Sequence, residues 1–246
     1  MKLKLLAITL TSLILPTTSF SEEGKFSIGL AGISSTSIYK HKGDTSIVAP
    51  SIEYKGKNFS LDVTNGFKYK IDDTTSVYIK PKMHALSKTS LSEYENFNRE
   101  NTLAIGLSTK YDVVKGTSIN LSAETEILEK YSGSEIDISV SQFIPPILLP
   151  LPMIVSAGTT IKDSKTANYY YGVNKSDLNN TFQSNYTLDT IHNPYLGISA
   201  FYKVSENINL FTNIKITKYD DKILNSPIIR DGEFQTSIVT AVSYQF

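Results

Sequence analysis

The sequence predicts an all-β chain: a transmembrane antiparallel up-and-down β-barrel of about twelve strands, with ten as the alternative count. Three observations predict it. The chain opens on an export pattern, period-two alternation fills most of the rest, and the last strand ends in phenylalanine.

The export pattern comes first. Lys2 and Lys4 form a charged start, and residues 5–15 form an apolar stretch too short for a comfortable helical span. Pro16 breaks the helix, and Ser19-Phe20-Ser21 is a small-x-small site, which places cleavage before Glu22. The chain then divides into a signal segment, 1–21, and a barrel, 22–246. An uncleaved anchor or a buried helix is the alternative, and the polar run Ser21-Glu22-Glu23-Gly24 argues against it.

Composition narrows the class. Hydrophobic residues are 40% of the 246, low for a helical membrane protein. Lys+Arg and Asp+Glu both number 24, so no charge excess points to nucleic acid as a partner. There is no cysteine, which excludes disulfides, thiolate metal sites, thiol nucleophiles and a lipoprotein anchor. Without tryptophan, 15 Tyr and 11 Phe must supply any aromatic belt. The one later apolar run, 143–157, carries Pro145, Pro146, Pro150 and Pro152, so it is not a helix. Closed β-structure is then the remaining way to satisfy every backbone amide in lipid.

The strands follow in order. Phe26, Ile28 and Leu30 alternate with Ser27, Gly29 and Ala31; Leu103, Ile105 and Leu107 with Ala104, Gly106 and Ser108. Ile119, Leu121 and Ala123 alternate with Asn120, Ser122 and Glu124, and Ile136, Ile138 and Val140 with Asp137 and Ser139. Ile208, Leu210, Ile214 and Ile216 continue the pattern. A membrane barrel turns such an apolar face to lipid and the polar face to its lumen. Short polar turns at 54–57, 72–75, 114–117 and 204–207 suit the periplasmic end. Longer stretches at 35–44, 86–99, 162–193 and 218–232 suit the outer end. A two-residue hairpin turn at Asn65-Gly66 makes the count even, with two strands too short to cross fully. In the last strand Ile238, Thr240, Val242, Tyr244 and Phe246 alternate. That end resembles the signature read by the barrel-assembly machinery of Gram-negative bacteria, so the expected location is the cell outer membrane and the expected surroundings are outer-membrane lipid.

Several segments resemble one family, the MipA/OmpV outer-membrane proteins. They are Ser34 through Lys40 with Val48-Ala49-Pro50, then Asn58-Phe59-Ser60-Leu61-Asp62, then Tyr169-Tyr170-Tyr171-Gly172-Val173, and Ser226-Pro227 with Ile228 and Ile229. The matches span the chain from about residue 25 onward. The resemblance implies a non-enzymatic scaffold linking the outer membrane to a periplasmic murein transglycosylase and a penicillin-binding protein, or an envelope-stress role.

Few residues suggest chemistry. Of His41, His84 and His192, only His84 falls in a strand, on the face of Tyr78, Lys80 and Lys82, and is expected to be a solvated lumen residue. His41 and His192 are expected in solvent. Glu124, Glu126 and Glu129 are expected to pair with lysines such as Lys80, Lys82 and Lys215 rather than to act as acid–base groups. No phosphate loop, dinucleotide fingerprint or HExxH pattern is present, so no catalytic residue, cofactor or metal ligand is assigned. Tyr169–Tyr171 reads as an extended stretch packed under the long loop or in the interfacial girdle, with a binding patch as the alternative. Ser226-Pro227 reads as a turn. The proline-rich turn carries Ile147, Leu148, Leu149 and Leu151, an apolar cluster where a periplasmic partner could dock or which could plug the barrel floor. A small diffusion channel or a surface adhesin built on 162–193 are the competing functions, with a hydrolase last.

Overall fold

A computed structural model describes residues 24–62, 66–87, 91–146 and 151–246. The expected signal segment and its cleavage point before Glu22 lie outside the described residues. Twelve strands follow in chain order: β1 (Lys25–Ser35), β2 (Thr45–Lys55), β3 (Phe59–Asp62), β4 (Gly66–Lys70), β5 (Thr75–Lys82), β6 (Thr102–Val114), β7 (Thr117–Glu126), β8 (Ser134–Ile144), β9 (Met153–Lys162), β10 (Ile191–Lys203), β11 (Ile208–Lys218) and β12 (Phe234–Gln245). Each pairs antiparallel with its sequence neighbours, and β12 closes on β1 through pairs such as Ala31–Ala241. The count is twelve because β3 and β4 form a hairpin of their own, Leu61 opposite Phe67.

One register expectation needs correcting. Gly66 does not sit in the turn; it opens β4 opposite Asp62, with φ +77°. A β-carbon at Gly66 would collide with the Ile79 carbonyl of β5, so the position needs glycine for its conformation and for close approach.

The faces are those of a barrel in lipid. On β1, Leu30 is 60% exposed while its neighbour Ala31 is 4% exposed. Outward-facing Ile105, Leu107, Ile119, Leu121, Ile136, Ile138 and Val140 repeat the pattern around the wall. In water this apolar exterior would be unfavourable by about 25 cal/mol per Å2, and in hydrocarbon that penalty disappears. At the end carrying the tight turns, outward aromatics gather: Tyr54 stacks on Phe59 at 5.0 Å, and Phe26 lies 5.8 Å from Phe246. Gly116, at φ +84°, makes the β6–β7 turn, after a bulge between Asp112 and Val114.

The largest apolar core among the described residues is not inside the barrel. It lies in the loops of the other end. Ile38 and Tyr39 after β1, Leu86, Tyr94 and Phe97 after β5, Tyr171, Val173, Phe182 and Leu188 after β9, and Tyr219, Ile223, Ile228 and Ile229 after β11 form one buried cluster. Four loops from around the rim thus meet as a folded cap, with Tyr94 1% exposed.

Candidate functional site

The site is the junction between cap and lumen, and the β9–β10 loop builds it. Asp163 caps helix α1 (Ser164–Tyr171), its carboxylate accepting the Thr166 N–H at 2.8 Å. The tyrosine triplet is therefore helical, which corrects the extended reading. At 3.6 residues per turn, successive side chains leave about 100° apart, so three adjacent tyrosines serve three surfaces. Tyr169 points to the β5–β6 loop, where its hydroxyl donates to the Glu100 carbonyl at 2.8 Å and accepts the Glu100 N–H at 2.6 Å. Tyr170 faces the lumen: it stacks on His84 at 4.8 Å, with the Lys162 Nζ 5.4 Å from its ring centre. Tyr171 enters the cap core edge-on to Tyr219, and its carbonyl accepts the Ser226 hydroxyl at 2.6 Å. Gly172 ends the helix with its N–H on the Asn168 carbonyl, and buried Val173 bridges to Tyr186. Buried Ser226 and half-buried Pro227 begin a turn closed by the Ile229 N–H on the Ser226 carbonyl, 3.0 Å.

A buried ion pair ties the cap together. The Arg99 Nη2 donates to Asp177 Oδ2 at 2.7 Å and its Nε to the Tyr169 carbonyl at 2.7 Å. The two side chains are 5% and 2% exposed. Tyr39 adds a hydrogen bond from its hydroxyl to the Tyr170 carbonyl, 2.9 Å.

His84 is not a solvated lumen residue. β5 ends at Lys82, and a turn closed by the Ser87 N–H on the His84 carbonyl carries the imidazole beneath α1. It is buried among Tyr39, Tyr169 and Tyr170. Nδ1 accepts the Leu86 N–H at 3.0 Å, and Nε2 lies 3.3 Å from the Tyr169 carbonyl, which can only accept, so the proton sits on Nε2. Both ring nitrogens face backbone, so no serine and carboxylate flank them. Burial, then the nearby Arg99 charge, pushes its pKa down to about 3. A depressed histidine pKa means the unfolded chain binds the extra proton first. Cap stability is accordingly expected to fall as pH drops from about 6.5 toward 3, with a slope approaching about 1.4 kcal/mol per pH unit. Hydrogen exchange of cap amides between pH 5 and 6.5 reads this slope, and His84→Phe is expected to flatten it.

Below Tyr170 the lumen holds a charge network. Glu124 accepts from the Tyr78 hydroxyl at 2.8 Å and pairs with Lys80 at 2.6 Å and Lys82 at 2.7 Å. Glu135 pairs with Lys82 at 3.1 Å and with Lys162. Asp137 accepts the Tyr195 hydroxyl, and Lys215 sits over the Tyr195 ring at 3.7 Å instead of pairing with a glutamate as expected. Glu126 also departs from expectation. It accepts the Leu128 and Ser132 N–H groups and the Thr102 hydroxyl, fixing the β7–β8 loop rather than a lysine. Glu129 lies in that loop at φ 57°. His41 is exposed in its loop, and His192 is exposed too but lies in β10 opposite Ile161, not in a loop as expected. Among the described residues, no group of three His, Asp or Glu side chains could hold a metal ion.

At the opposite mouth, Ile147, Leu148 and Leu149 lie outside the described residues, and Leu151 is half-buried before β9. At the same end Phe143 and Ile154, with Lys110, Asp112 and Lys115, line a cavity of about 610 Å3. Ile238, Val242, Tyr244 and Phe246 all stand exposed on the outward face.

A family model described as "MltA-interacting protein MipA" matches residues 28–246. The chain belongs to the MipA family. Relatives of that family and kind include the MltA-interacting protein of Escherichia coli strain K12, 26% identical over 100% of this chain and 99% of that protein. The 24 kDa outer membrane protein of Pasteurella multocida is 25% identical over 96% of each. Solved barrels align more loosely: the DcaP channel of Acinetobacter baumannii at TM-score 0.41 and 9% identity, over 91% of this chain and 96% of that one. The N-terminal barrel of Pseudomonas aeruginosa OprF aligns at 0.30 and 10%, over 91% and 100%. This MipA-family chain is an outer-membrane β-barrel.

Sequence reasoning missed Arg99, Asp177, Glu135 and Lys162, the charges that hold the junction. Asp163 before Ser164 is a helix-start signal that could have revealed α1. Arg99 and Asp177 are 78 residues apart in two polar loops, and nothing local marks them as partners.

Proposed function

We propose that this chain is a non-enzymatic outer-membrane anchor that binds a periplasmic murein transglycosylase of the MltA kind and passes no solute through its outer mouth. The observation that supports it is the cap: an apolar core, a buried ion pair and the tyrosine helix close the end that a diffusion channel keeps open. The name of the E. coli relative supports the choice of partner. In this reading the proline-rich turn, with Ile147, Leu148, Leu149 and Leu151, is the docking element at the periplasmic end, and a penicillin-binding protein is the second partner. The same reading takes 1–21 as a removed signal and outward Ile238, Val242, Tyr244 and Phe246 as the strand read during barrel assembly. Purified transglycosylase mixed with the barrel in detergent tests it. Wild-type barrel is expected to retain the enzyme on affinity resin, and Leu148→Ser with Leu149→Ser to lose most of it. Equal recovery with and without the barrel would refute the partner.

A further inference from the structure

The barrel wall is incomplete on one side. β3 and β4 hold four and five residues, against eight or more in every other strand. Among the described residues β2 pairs with β3 only at Glu53, Tyr54 and Lys55, so no described strand of the sheet flanks Thr45 to Ile52 on that side. Across the hairpin, β5 pairs with β4 no further than Ile79, leaving Lys80, Pro81 and Lys82 with the β6 ladder alone. β2 and β5 stand three strand spacings apart here, nominally about 14 Å.

Two prolines mark the edges of this gap. The Gly56 N–H bonds the Phe59 carbonyl, which sets even-numbered β2 residues to bond toward β3. The Ile71 N–H bonds the Thr75 carbonyl, which sets odd-numbered β5 residues to bond toward β4. Pro50 and Pro81 therefore both turn their donor-less nitrogens toward the gap. In a fully paired wall each would delete a ladder bond; at an open edge in lipid each removes a donor that nothing would satisfy.

The gap lies at bilayer depth. Tyr54 belongs to the aromatic girdle at the short-turn end. Six residues on, Val48 is about 15 Å higher for a strand rising 3.4 Å per residue at the usual tilt, inside an apolar band about 25 Å tall. β3 covers only about 10 Å of that band. The flanks continue the lipid-facing surface, with Val48, Ile52, Ile79 and Met83 exposed outward. Inside, Ile47 pairs with Ile33 and Ala49 with Ala31, so the lumen wall of β1 and β2 is apolar here. Ile47 is 45% exposed although it faces inward, whereas Thr102, Glu126 and Asn193 at the same end are each 6% exposed or less beneath the cap.

We infer that the gap between β2 and β5 is a lateral opening through which the hydrocarbon chain of a bilayer lipid enters the barrel and lies along Ile47 and Ala49. Lipid is the occupant because the gap is continuous with the lipid-facing surface and its inner wall is apolar on the β2 side, at Ile47 and Ala49, while Lys80 and Lys82 on the β5 side are engaged by Glu124. This rests on the proposed reading in which the cap shuts the lumen above, so that access is sideways.

The cysteine-free chain allows a direct test. Ala49→Cys and, separately, Ile47→Cys carry a fluorophore in vesicles whose lipids are brominated in the acyl chain. Val48→Cys, outward on the same strand, is the lipid-exposed standard. Ser199→Cys, lumen-facing on β10, is the enclosed one. Folding is checked by the heat-dependent gel shift of each variant. The expected result is quenching at position 49 or 47 close to that at Val48, with Ser199 keeping its full intensity. Intensity at 49 and 47 unchanged by bromination, in folded protein, would overturn the opening.

Discussion

Asp177→Ala is expected to open the outer cap while leaving the barrel assembled. The carboxylate is 2% exposed, and it holds the Arg99 guanidinium in a site that also engages the Tyr169 and Gly172 carbonyls. Removing it strands a buried cation, which costs about 3–5 kcal/mol when one partner of such a pair is lost. That is a hundred-fold or greater rise in the open population, at about 1.4 kcal/mol per tenfold. The loss falls on the cap because no strand residue is involved. The measurement is proteolysis of intact cells: new cleavage at Lys175 and beyond, with the heat-dependent gel shift retained. Arg99→Met combined with Asp177→Leu removes both charges and is expected to recover much of the protection, since a buried pair replaced by apolar groups is often close to neutral.

Glu135→Ala should act on the barrel itself. Glu135 faces Lys82 and Lys162, while Glu124 already serves Lys80 and Lys82. Without it Lys162, whose ammonium lies by the Tyr170 ring, loses its ion-pair partner and Lys82 keeps only Glu124. The expected loss is again about 3–5 kcal/mol, read as a lower urea midpoint for unfolding from vesicles. Pairing it with Lys162→Met should return part of the loss, and the non-additivity of this double-mutant cycle measures the coupling.

The wall was legible in the sequence and the cap was not, for a physical reason. A strand facing lipid on one side and water on the other must alternate, so Ile119 to Glu126 announces its own conformation. Turn lengths and the Asn65-Gly66 signal called for a hairpin of two short strands, Phe59–Val63 and Phe67–Ile71, and with it the strand count. The cap is held by contacts between loops that carry no period. Leu86 and Ile228 share one buried cluster, and Arg99 meets Asp177, only because the barrel brings their strand ends to one rim. His84 was misplaced by extrapolating the β5 alternation two residues past its end, where a turn takes over. The tyrosine triplet reads as an extended stretch, and aromatic residues do favour extended backbone, yet Asp163 imposes a helix start that outweighs the preference. Pro50 and Pro81 were visible throughout, but their meaning depends on which neighbour each strand lacks, and that is a property of the closed sheet.

The sealed outer mouth is tested most directly by conductance across a planar lipid bilayer. Purified wild-type protein is expected to give no single-channel steps, and a variant with residues 164–190 replaced by a short glycine–serine linker is expected to give stable ohmic ones. Steady steps from the intact chain, unchanged by the deletion, would contradict a closed cap.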